Sequence, residues 1–78
     1  MSQYQTLIAE EIGTGDPDTL TLIEELMRSE HPTLDHLTRA EFRACVIQAV
    51  AEAAEMERAG FLPPYCAALG IKVPDAAR

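Results

Sequence analysis

Residues 43–60 read RACVIQAVAEAAEMERAG, a helical stretch that is apolar on more than one side. Val46, Ala49, Val50 and Ala53 recur at helical spacing and make one stripe, while Ala44, Ile47, Ala51 and Ala54 make a second. A helix on the surface of a small domain ordinarily hides one stripe and shows the rest to water. What covers the second stripe is therefore the question that organises the fold.

The ends of this helix are legible. Thr38-Arg39-Ala40-Glu41 has the capping-box pattern, in which the hydroxyl and the carboxylate each satisfy a free backbone N–H. Gly60 is placed as a left-handed stop, and Phe61 to fold back on Met56. A helix over residues 39–59 is about 31 Å long, against a radius of gyration of roughly 11–12 Å for a chain of this length, so it is expected to be the central element. Phe42, Cys45, Val46, Ala49, Val50, Ala53 and Met56 fill an arc of about 140°. Ala40, Ala44, Ile47, Ala51 and Ala54 lie on the far side, and Glu41, Gln48, Glu52 and Glu55 make the polar strip. Two readings follow. In the leading one, helices of the same chain flank the central helix on both sides. In the other, the alanine and Ile47 face meets another protein, most simply a second copy related by two-fold symmetry.

Working outward, Tyr4, Leu7, Ile8 and Ile12 predict a short first helix closed by Gly13. In TGDPDT, Asp16 suits the N-cap, Pro17 the first helical position and Asp18 the first turn, opening a second helix that runs to about Glu30. Leu20, Leu22, Ile23, Leu26 and Met27 share its apolar side. Pro32 stops it, and Thr33 is expected to cap a single turn containing Leu34 and Leu37. After the central helix, Pro63-Pro64 precedes a last short helix expected from Tyr65 to Leu69 and ended by Gly70. No stretch alternates with period two for long enough to make a strand. The expected fold is all-α: three main helices and a short C-terminal one in a single domain over residues 1–73, with a frayed tail at 74–78.

At 78 residues, 47% hydrophobic and 24% charged, the chain has the composition of one globular domain and not of a disordered segment. No apolar run approaches the ~20 residues that cross a bilayer. The first residues lack the basic start and apolar core of a secretory signal, and two cysteines are too few for a disulfide framework, so a cytoplasmic protein is expected. Buried free thiols are the plain reading of Cys45 and Cys66, although Cys66, if exposed, would cross-link two chains under oxidation.

The net charge of −7 lies wholly in the first half. Residues 1–38 hold eight acids against Arg28, and residues 39–78 hold five acids and five bases. Direct nucleic-acid binding is excluded on this balance, because phosphate contacts need Lys and Arg. A partner protein with a basic surface is allowed, and its candidate contacts are Glu10, Glu11, Asp18, Glu24, Glu25 and Glu30.

Sites for chemistry are scarce. His31, His36, Cys45 and Cys66 have the residue types of a zinc site, but without a C-x₂-C pair or a His pair at helical spacing no metal is expected. Asp16-Pro17-Asp18 begins like a calcium loop, yet Leu20 and Thr21 stand where an oxygen ligand and a glycine are needed. No nucleophile has a base and a donor pair placed by sequence, and no cofactor motif is present, so an enzyme is not expected. In size and acidity the chain resembles acyl carrier proteins, but neither Ser2 nor Ser29 follows the Asp that such a protein needs before its modified serine.

Size and charge also resemble those of the small acidic inhibitors of phages and mobile elements, including anti-CRISPR proteins. That resemblance implies docking of the acidic half on a surface that normally holds nucleic acid, as a charge mimic of phosphate. The alternative is a structural or regulatory homodimer built on Ala44, Ile47, Ala51 and Ala54.

Overall fold

The computed structural model describes residues 3–74, which form α1 (Gln3–Ile12), α2 (Pro17–Glu30), α3 (Arg39–Ala59) and α4 (Leu62–Leu69), with no strand among them. Each helix starts and stops where local chemistry provides for it. The N–H of Gly13, at φ 73°, donates to the Ala9 carbonyl at 2.9 Å and closes α1. Asp16 accepts from the Thr19 N–H at 3.1 Å and from its hydroxyl at 2.7 Å, which caps α2 just before Pro17. The α2 helix ends at Glu30, two residues before Pro32, with the His31 N–H on the Met27 carbonyl.

In the connector between α2 and α3, Leu34 is buried and accepts from the Leu37 N–H at 3.3 Å, so the expected single turn is present. Thr33 does not cap it; its hydroxyl instead pairs with His36 Nδ1 at 3.2 Å. The capping box of α3 forms in both directions: the Thr38 N–H donates to Glu41 Oε1 at 2.9 Å, and the Glu41 N–H donates to Thr38 Oγ1 at 3.1 Å. At the other end, Gly60 adopts φ 80°, and the Phe61 N–H reaches the Met56 carbonyl at 2.9 Å. The backbone motif forms, but the Phe61 side chain is not folded away: it is 65% exposed.

The last helix begins three residues earlier than the sequence suggested, at Leu62. Pro63 and Pro64 belong to its first turn, where the missing N–H groups have no helical partner to lose. The first helical hydrogen bond runs from the Tyr65 N–H to the Phe61 carbonyl at 3.2 Å. Leu62, at the head of that turn, is fully buried. Pro74, expected to begin the tail, is also buried, and the remaining tail residues, 75–78, lie outside the described residues.

α3 packs against each of the other three helices and, at about 31 Å, matches the longest molecular dimension of 32 Å. Ile8, Leu20, Leu22, Met27, Val46, Leu62 and Cys66 are the largest side chains fully removed from water, so every helix contributes to one core. Its rim is closed at one end by Tyr4, whose ring stacks on Phe42 at 6.2 Å while the Arg28 guanidinium lies 5.5 Å from the ring centroid. α1, α2 and α3 meet there. No described helix is long and apolar enough to cross a membrane.

Candidate interaction surface

The two apolar stripes of α3 have opposite fates. Phe42, Cys45, Val46, Ala49 and Ala53 are buried under α1, α2 and α4. One position further round the helix, Ile47 is 62% exposed, against 1% for Val46. Ala40, Ala44 and Ala51 are exposed beside it, and Ala54 is half-buried. The leading expectation, that the chain's own helices flank α3 on both sides, is therefore corrected. α1 has only 10 residues and α4 only 8, and both are used in closing the core on one side. Val50 also departs from its expected place in the inward arc: it is 41% exposed and sits at the edge of the outer face.

This outer face is bordered by charge and extends past α3. A shallow groove lined by Glu11, Ile12, Val46, Ile47 and Val50 joins it to the end of α1. Glu11 crosses to Arg43 at 3.2 Å and fixes that border. On the opposite border, Glu41, Gln48 and Glu55 are exposed, with Glu55 paired to Arg58 at 2.8 Å.

The six acids proposed as one docking face are not one face. Glu11 is held by Arg43. Glu24 is held by Arg28 at 3.0 Å and accepts from Gln5 Nε2 at 3.0 Å, against α1. Glu30 accepts from Gln48 Nε2 at 3.4 Å, on the α3 side. Glu10 is exposed on α1. Asp18 and Glu25, seven residues apart on α2, share a side that looks toward α4.

Burial pushes the Tyr65 hydroxyl above its usual range, and the negative charges of Glu25 and Glu52 push it further. Burial likewise raises the Cys66 thiol, with Asp18 adding to the shift. Asp18, Glu25 and Glu52 therefore lie within electrostatic reach of α4. Sequence reading missed Glu52 as a member of this group, because nothing local signals that α4 folds back over the α2–α3 seam.

Neither thiol is placed for chemistry. Burial raises the Cys45 thiol as well, with Glu30 adding to it, and a raised thiol is a poor nucleophile. Cys66 is fully buried, so the exposure on which an intermolecular disulfide depended is not met. The His31 and His36 rings stand 6.3 Å apart at 59°, with His36 exposed and His31 half-buried. Among the described residues no three His, Cys, Asp or Glu side chains gather to hold a metal ion. Comparison of the chain with protein-family models, with curated proteins and with solved structures finds no match in any of the three.

Proposed function

We propose that this chain is a non-enzymatic protein-binding module whose contact surface is the outer face of α3. The observation that carries the reading is Ile47, 62% exposed in the middle of the longest helix and continuous with exposed Ala40, Ala44, Ala51 and Val50. Covering a large aliphatic side chain is worth roughly 1.5–3 kcal/mol, and small residues around it let a second helix approach to about 8–10 Å between axes. A protein partner suits such a face better than nucleic acid, since only six Lys and Arg stand against 13 acids. A cytoplasmic setting suits two unpaired, buried thiols.

A second reading rests on a different observation: Asp18, Glu25 and Glu52 lie within electrostatic reach of α4 and make no ion pair to any described residue. In this reading they dock on a basic surface that otherwise holds nucleic acid, as phage and mobile-element inhibitors of the anti-CRISPR type do. One experiment separates the two. Tagged wild-type chain, Ile47→Glu and the pair Glu25→Lys with Glu52→Lys are compared for capture of partners at low and high salt. The α3 reading expects capture to survive salt and the lysines and to be lost with Ile47→Glu. Capture that is lost in salt and with the lysines, yet survives Ile47→Glu, overturns it in favour of the acidic surface.

A further inference from the structure

We infer that the seam where α1, α2 and α3 meet holds a binding site for a small, uncharged, hydrocarbon-like molecule of about the size of benzene. The inference does not depend on the outer face of α3. It rests on a cavity of about 180 Å³. The floor is Thr19, Leu22, Ile23 and Ala53, all buried, and the rim is Ile12, Thr14 and Val50, which water reaches in part. The chain turns at residues 13–16, so the end of α1 and the start of α2 converge on α3 at this seam. Ala53 presents only a methyl group there and leaves the space between the helices unfilled.

The lining decides the chemistry of the ligand. None of its side chains carries a charge, and a charged group would lose its water there with no counter-ion in return. Both hydroxyls are already engaged at Asp16. Thr19 Oγ1 donates to the Asp16 carboxylate at 2.7 Å, and Thr14 Oγ1 accepts the Asp16 N–H at 3.3 Å. An enclosed water needs about two to four polar partners, so this wall offers it little. The space favours an apolar occupant.

The volume decides its size. Apolar cavities of about 150 Å³ stay dry and hold benzene, whereas sites for drug-sized molecules measure roughly 300–1,000 Å³. The seam therefore takes a single ring or an aliphatic chain of about six carbons. With so few atoms to bury, the affinity is on the order of millimolar. A free molecule suits the cavity better than a partner's side chain, because Ile47 and the exposed alanines of α3 are not part of the lining.

The test is a titration of the whole chain with benzene and, separately, with benzoate, followed by the methyl NMR signals of Ile12, Leu22, Ile23 and Val50. Benzene is expected to move these signals saturably and to raise the melting temperature. Benzoate at the same concentrations is expected to leave them in place. Ala53→Val, which fills the floor, and Val50→Phe, which closes the rim, are each checked for unchanged helicity and weaken benzene binding by about tenfold or more. Ile47→Glu lies outside the cavity and leaves benzene binding unchanged. Shifts that fail to saturate, or that persist undiminished in both Ala53→Val and Val50→Phe, overturn the inference, as does benzoate binding as tight as that of benzene. Loss of benzene binding in Ile47→Glu places the ligand on the outer face of α3 and overturns it too. A chain that takes no benzene, yet loses capture of a protein partner with Val50→Phe, assigns the space to a partner's side chain and overturns the small-molecule site alone.

Discussion

Thr38 and Glu41 hold the first turn of α3 through reciprocal bonds, and those bonds make the turn sensitive to acid. The Glu41 carboxyl titrates below its ordinary value of 4.5, chiefly because the Thr38 backbone N–H donates to the ionised form and then because of the Thr38 side chain, with His36 and His31 adding to the shift. A lowered value in the folded chain means that the charged form is preferred there. The stabilisation is fully present above the ordinary value and is lost as pH falls through the lowered one. In Glu41→Gln the amide still accepts from Thr38 but no longer titrates. Thermal melts of the two proteins are expected to differ most near neutral pH and to converge as pH falls below 4.5 and through the lowered value; a constant difference would mean that the carboxylate does not contribute in this way. Signals on this scale were legible throughout. Asp16-Pro17, Thr38 with Glu41, and the glycines at 13, 60 and 70 act on neighbours within four residues, so a linear reading contains both partners of each interaction.

Elements bounded by such signals were read correctly at both ends, as α2 and α3 illustrate. The start of α4 lies three residues before the expected Tyr65, because both prolines fit inside the first helical turn, where a missing N–H costs no helical hydrogen bond. The consequence is energetic as well as formal, because the extra turn brings Leu62 into the core. Leu62→Ala is expected to cost about 2–5 kcal/mol, a large share of the stability of so small a domain. A urea titration followed by helicity measures it. Since Leu62 anchors α4 beside Cys66, the same variant should expose the Cys66 thiol to a labelling reagent at urea concentrations where Cys45 is still protected. Simultaneous exposure of both would show that α4 does not open separately.

For the molecule as a whole, the decisive feature was not legible. Both stripes of α3 are apolar, and choosing the covered one depends on how far three short helices reach around a long one. The chain places them all on one side, leaving Ile47 out and Val50 at the margin. The acids followed the same rule. Helix packing divided the six carboxylates: Glu24 pairs with Arg28 and Glu11 with Arg43, Glu30 meets Gln48, Glu10 is exposed on α1, and Asp18 and Glu25 lie within electrostatic reach of α4. With the core continuous through all four helices, Cys45 and Cys66 of the wild-type chain are expected to react with a thiol reagent only through opening of the whole domain. Their labelling rates should agree and rise together with urea, and a Cys66 rate well above that of Cys45 under native conditions would contradict this.

The order of the helices has a kinetic consequence. α1 packs on α2, α2 on α3 and α3 on α4, across connections at residues 13–16, 31–38 and 60–61. Each docking closes a short loop, so the search for the native arrangement is local, and chains of this kind fold in microseconds to milliseconds. Any partner that docks on the outer face of α3 would therefore meet a surface formed together with the core, and the encounter rate would be set by diffusion and orientation.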